Sequence, residues 1–258
     1  MADMISLMRT IPANLLSTFE HEAQLQAQAL ALISNSEVMS DHLEAVSESL
    51  AYAYTLIQLE SEAESAVHTL QLLCIRLLNC AASALKLGLA GYYQTAFAQL
   101  RDLLELVNLV DYFLIDPSQI GIWSWADSKL LRKTFSPDAV RKALEAHPEH
   151  EGQSRKPQYA SYSHYASHAT YDGFRLISPN NIPHAGCFFD PSRLQALLTE
   201  LARRTAHATV TLSAVVAEFE HKTFAESRSF RQFIFRYQEK YMPNDTGATV
   251  TVGTSSIP

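Results

Sequence analysis

The stretch AVHTLQLLCIRLLNCAASALKL, residues 66–87, decides the fold. Ala66, Leu70, Leu73, Leu77, Cys80, Ala84 and Leu87 alternate steps of four and three, the spacing of one seam along an α-helix. Leu72, Ile75, Leu78 and Leu85 make the opposite side apolar too. A helix apolar nearly all round belongs in the middle of a bundle. Outward from it the same period recurs. Pro12 starts a helix to about Ile33, with Leu16, Phe19, Leu30 and Ile33 at apolar positions, and Ser34-Asn35-Ser36 breaks it. Ser36 then caps a second helix that runs to about Gln58. Gly88 and Gly91 end the 66–87 helix. A fourth runs from about Tyr92 to Ile115 on a seam of Leu100, Leu103, Val107, Val110 and Leu114, and Asp116-Pro117 stops it.

The second half is less regular around Trp123 and Trp125. Ser136-Pro137-Asp138 supplies a cap, a proline at the first position and an acid in the first turn, so a short helix starts there and ends by His147-Pro148. Residues 148–156 read as a charged linker, and Tyr159 to His168 as a modest helix. Gly173, Pro179, Pro183 and Gly186 make the 172–189 segment a long ordered loop laid on the surface. Asp190-Pro191 starts the last long helix, on Leu194, Leu198, Leu201, Thr205, Ala208, Leu212, Val215 and Phe219. An aromatic stripe of Phe230, Phe233, Tyr237 and Tyr241 continues it. The expectation is an all-α multi-helix bundle: one domain over 1–243, a long ordered loop before the last long helix, and a disordered tail over 244–258.

Taken as one helix, about 50 residues from Pro191 would extend roughly 75 Å. A 258-residue domain has a radius of gyration of only about 18 Å. Either the helix breaks near His221–Ser227 or its end projects and needs a partner. The terminal piece interleaves Phe230, Phe233, Ile234 and Tyr237 with Arg228, Arg231 and Arg236, a composition suited to an interface core. Phe230, Arg231 and Tyr237 are therefore candidate binding residues for a homodimer or another protein; the alternative is that the terminal helix folds back on its own bundle, and the basic aromatic stripe also suits single-stranded RNA.

Composition excludes several classes. The chain has 8 glycines in 258 residues and no G-x-G, which removes the dinucleotide fingerprint and the P-loop. Its net charge is −7, with ten acids against Arg9 alone before residue 76, which disfavours non-specific nucleic-acid binding. Three cysteines stand at 74, 80 and 187 without a C-x-x-C, which fits a reducing compartment. Asp3 stands where a signal peptide would carry positive charge. Arg76, Asn79, Ser83 and Lys86 interrupt the apolar 66–93 region, so no membrane span is expected and the protein reads as cytoplasmic.

Chemistry concentrates in three places. Arg101, Glu105 and Asn108 share one face of an otherwise apolar helix, with Asp102 beside them. The arginine precedes the acid by four, the less favourable order for a surface pair, which points to a buried or half-buried cluster. His164 and His168 stand one helical turn apart in a run rich in hydroxyls. Tyr165 stands where H-E-x-x-H needs its glutamate, so no metal site and no cofactor is expected. Arg141 and His147 stand with five residues between them, at what reads as a solvated helix end.

One ordered set of residues resembles a family. The block Leu100-Arg101-Asp102-Leu103-Leu104-Glu105, then Asp111-Tyr112-Phe113, Trp123, and Phe135-Ser136-Pro137 with Val140-Arg141, is similar to an uncharacterised family of bacterial helical proteins. Tyr159, Ser163 and His168, then Phe188-Phe189-Asp190, continue the order over about residues 97–207. That family resembles HEPN proteins, which often accompany bacterial defence and toxin–antitoxin systems. The resemblance implies a HEPN-like part over about 66–220, in which Arg101 and Glu105 face His168. Asp102, Tyr159 and His164 are read beside them as candidate binding residues. Two functions follow from it. One is a non-enzymatic interaction module acting through a homo-oligomer or a protein partner, away from membranes. The other is a metal-independent endoribonuclease, with histidine as acid or base and arginine on the phosphorane. Active HEPN ribonucleases carry an arginine and a histidine with four to six residues between them, a spacing that Arg141 and His147 match, but Lys142 follows that arginine where a small polar residue is usual, and no arginine lies four to six residues before His168. Both departures leave open whether the chain is an enzyme.

Overall fold

The computed structural model describes residues 12–148, 155–168, 170–220 and 225–242. Those residues form ten α-helices and no strand: α1 Ala13–Ser34, α2 Glu37–Ile57, α3 Ala66–Leu89, α4 Tyr93–Ile115, α5 Gln119–Ser124, α6 Ser128–Thr134, α7 Pro137–Glu145, α8 Lys156–Tyr162, α9 Pro191–Glu220 and α10 Ala225–Tyr241. The fold is an all-α bundle. Its starts follow the cap chemistry: Ser36, Ser65 and Ser136 each accept a backbone N–H of the first turn through the side-chain oxygen. Asp127 does the same for α6 and marks a short helix that periodicity misses. The 172–189 segment is partly coiled into 3₁₀ turns at Asp172–Ile177 and Pro179–Asn181. Of the expected linker at 148–156, residues 149–154 lie outside the described residues, as does the tail at 244–258, while Lys156 already starts α8.

α9, not α3, takes the centre. It packs on α2, α3 and α4, and Leu194, Leu197, Leu198 and Leu201 are fully buried. Thr205, Thr209 and Thr211 are buried with them. The Thr205 hydroxyl donates to the Leu201 carbonyl at 2.8 Å, which makes its burial tolerable and hides the helix's core role from a count of apolar residues. α3 buries one side only. Leu72 is 53% exposed and Ile75 40%, on the face opposite the seam. α3 is long and apolar enough to cross a membrane by length and composition, contrary to the expectation from its polar interruptions, and its inner face is buried against α4 and α9.

Gly88 and Gly91 do different jobs. Gly88 lies inside α3, where a Cβ would come within 2.0 Å of Leu197 Cδ2, so it lets α9 approach. Gly91 turns the chain with φ +87°, and a Cβ there would sit 2.4 Å from the Phe188 carbonyl oxygen. Gly91→Ala combines left-handed strain with a backbone clash, and an expected loss of about 2–3 kcal/mol is readable by urea denaturation.

The C-terminal stripe folds back on its own chain. Residues 221–224 lie outside the described residues, and the chain on either side forms α9 and α10. α10 lies on α2. Phe230 stacks on Tyr52 at 4.6 Å between centroids, and Phe230, Ile234 and Tyr237 are buried. The Tyr237 hydroxyl lies 2.7 Å from His42 Nδ1, and Lys240 pairs with Glu37 and Asp41. Burial lowers the His42 pKa, so the ring sits neutral beneath α10.

Candidate functional site

α4 buries its seam in the bundle, and its Arg101–Glu105–Asn108–Asp111 stripe meets α7 and α8. Arg101 Nη2 lies 2.9 Å from Glu105 Oε1. Arg101 also donates through Nε to Ser163 Oγ at 3.0 Å and through Nη2 to the Tyr159 hydroxyl. The Tyr159 hydroxyl in turn donates to Glu105 Oε1 at 3.0 Å. A single π-helical turn, Ser163–Ser167, continues α8 and brings Ser163 to the arginine. Arg141 is buried, not solvated. Its guanidinium lies 4.4 Å from the Tyr159 ring centroid and holds Asp138 through Nη2 at 2.8 Å.

One helical turn further on, a second knot is more deeply buried. Arg155 Nη1 donates to Asp111 Oδ2 at 2.5 Å and to Asn108 Oδ1 at 2.9 Å. His207 Nε2 on α9 lies 2.8 Å from Asp111 Oδ1, and Thr211 donates to the same oxygen at 3.2 Å. Burial pushes the Asp111 carboxyl up. The contacts with His207 and Arg155 outweigh that and hold it well below the usual carboxylate range. Glu200 of α9 is treated likewise: burial raises it, and Arg204, the Tyr162 hydroxyl and Arg203 outweigh that and leave it below its ordinary value.

His168 is not in this cluster. The chain leaves the π-turn at His168 in an extended conformation, and its side chain is exposed, with no hydrogen bond to Arg101 or Glu105. Tyr159 and Ser163 occupy the place the resemblance gives it. His164 is also exposed and pairs with Asp172 at 3.1 Å. Asp102 pairs with Arg76 on α3 at 2.6 Å, off the Arg101 network. Phe230 and Tyr237 are buried in the α2–α10 contact, and Arg231 reaches Ser213 at 3.5 Å. These three do not offer the free surface expected of them. Among the described residues no group of three His, Cys, Asp or Glu side chains could hold a metal. The three cysteines are free and buried, and burial pushes the Cys74 thiol up to about 12 and Cys80 up to about 11, away from thiolate chemistry.

Sequence reasoning missed Asp111, Arg155 and His207 as partners. Asp111 was within reach of it, since it continues the 101–105–108 stripe by one more step of three. Arg155 and His207 carry no local signal, because they meet Asp111 across 44 and 96 residues.

A cleft of about 200 Å³ opens beside the Arg101 cluster, with Glu105 and Asn108 in its wall. Its apolar lining comes from Leu73 of α3, Leu106 and Leu109 of α4, Trp123 of α5 and Val140 of α7. No protein-family model, curated protein or solved structure matches the chain.

Proposed function

We propose that this protein is a non-enzymatic, self-associating helical module of the cytoplasm, HEPN-like in layout. The observation that carries the reading is the state of α1. Its first buried side chain is Leu25, and its first bond to the bundle is the one Glu22 accepts from the Tyr92 hydroxyl, so Ala13–His21, about 14 Å of helix, stands almost bare. Within that length Leu15 and Phe19, one turn apart, are 43% and 48% exposed. A bare helix with an apolar pair is an incomplete packing unit, and a second copy completes it symmetrically, each α1 covering the other.

The polar cluster supports the non-enzymatic half of the reading. Arg101 is spent on Glu105, Tyr159 and Ser163, and no histidine hydrogen-bonds within that group. An arginine so engaged is a poor partner for a phosphorane, and Glu105 beside it repels phosphate. Three free, buried thiols suit a reducing compartment.

Sedimentation velocity at micromolar concentration tests the assembly. The full chain is expected to run as a dimer. Leu15→Glu with Phe19→Glu, both at exposed positions, is expected to run as a monomer with unchanged melting. A monomeric wild type overturns the self-association. Cleavage of single-stranded RNA in the presence of a chelator, lost in Arg101→Ala, would instead establish the endoribonuclease.

A further inference from the structure

We infer that the cleft between α3, α4, α5 and α7 binds a free α-amino acid with a large apolar side chain. The rim and the floor divide the work as such a ligand requires. On the rim, Arg76 of α3 offers a guanidinium, bonded through Nη2 to Asp102 Oδ1 and more than half exposed. Its remaining donors suit a carboxylate, which a guanidinium takes in bidentate fashion. On the same rim, Asp102 and Glu105 offer carboxylates, and each has its described bonds on one oxygen: Oδ1 of Asp102, Oε1 of Glu105. The second oxygens suit an ammonium. Opposite charges on one rim select a zwitterion and disfavour an anion or a cation alone.

Below the rim the walls are apolar: Leu73, Leu106, Leu109, Trp123, Phe135 and Val140. Aromatic and aliphatic walls with a few convergent polar groups are the usual make-up of a small-molecule site. The volume of about 200 Å³ equals the share of roughly seven waters at about 30 Å³ each, room for a molecule of leucine or phenylalanine size.

Calorimetric titration of the full chain tests this, with Trp123 fluorescence as a second readout. The probes are L-phenylalanine, L-leucine, phenethylamine, 3-phenylpropionate, glycine and N-acetyl-phenylalaninamide. L-Phenylalanine or L-leucine is expected to bind. Each of the other four lacks one charge, both charges or the side chain, and is expected to bind at least about tenfold more weakly. Arg76→Gln is expected to weaken L-phenylalanine about tenfold and leave phenethylamine unchanged, and Asp102→Asn to weaken it while leaving 3-phenylpropionate unchanged. Both side chains are on the surface, so these variants are expected to melt as the wild type does. Absence of binding by both amino acids overturns the proposal. So does equal binding of phenethylamine and L-phenylalanine, or an affinity for L-phenylalanine that Arg76→Gln does not move.

Discussion

Asp111→Ala is expected to cost about 3–5 kcal/mol, the usual effect of removing one partner from a buried charge pair. The reason is what remains behind. Asp111 is 5% exposed and meets Arg155, His207 and Thr211. Without the carboxylate, Arg155 keeps only Asn108 as a described side-chain partner, and its charge sits largely buried. Chemical denaturation at pH 7 reads the loss directly. The pH dependence gives a second check. The folded carboxyl titrates below its ordinary value of about 3.9, so its stabilisation is fully present above that value and is lost as pH falls through the folded one. The gap in stability between wild type and Asp111→Asn is therefore expected to be widest at neutral pH and to shrink as the solution is acidified below about pH 4. A gap that stays constant from pH 7 to strong acid contradicts the ionised pairing.

Phe230→Ala is expected to cost about 3–5 kcal/mol as well, by a different route. Phe230 is 4% exposed and stacks on Tyr52, whose hydroxyl lies 3.1 Å from Ser213 Oγ of α9. Truncation leaves a cavity beside Tyr52, where α10 lies on α2. Limited proteolysis is expected to cut the variant in or before α10 faster than the wild type, because α10 rests mainly on α2. Phe235→Ala removes a ring from the same helix that is 58% exposed, and is expected to be nearly silent. Equal effects at 230 and 235 would mean that α10 does not dock as described.

The two variants also probe opposite ends of one design. The Arg101 and Asp111 knots bring α8, and for Asp111 α9 as well, to one face of α4 by polar contacts. α10 is held to α2 chiefly by rings and aliphatic packing, with the neutral His42 buried beneath it and Lys240 at the edge. Polar knots specify which helix meets which, because an unmatched partner leaves a buried charge. Aromatic packing supplies area with less selectivity.

The long helices and many of their ends were legible in the chain itself. A cap serine, a proline at a first position and apolar steps of three and four are properties of neighbours within one or two turns, and they act before any tertiary contact forms. The Arg101–Glu105–Asn108 stripe was legible for the same reason, as one face of one helix. What the stripe meets was not. His168 and Tyr159 stand in the same hydroxyl-rich run, and a π-turn and an extended exit decide that Ser163 and Tyr159 reach Arg101 while His168 faces solvent. Tertiary structure alone also decided that α9 lies at the centre and α3 at the side. Apolar content ranks helices by how much they can bury, whereas position depends on how many neighbours each finds, and hydroxyls bonded to their own helix let α9 be surrounded. It decided, finally, that the Phe230–Tyr237 stripe covers α2 of its own chain, because an apolar stripe specifies that it will be covered and carries no record of what covers it.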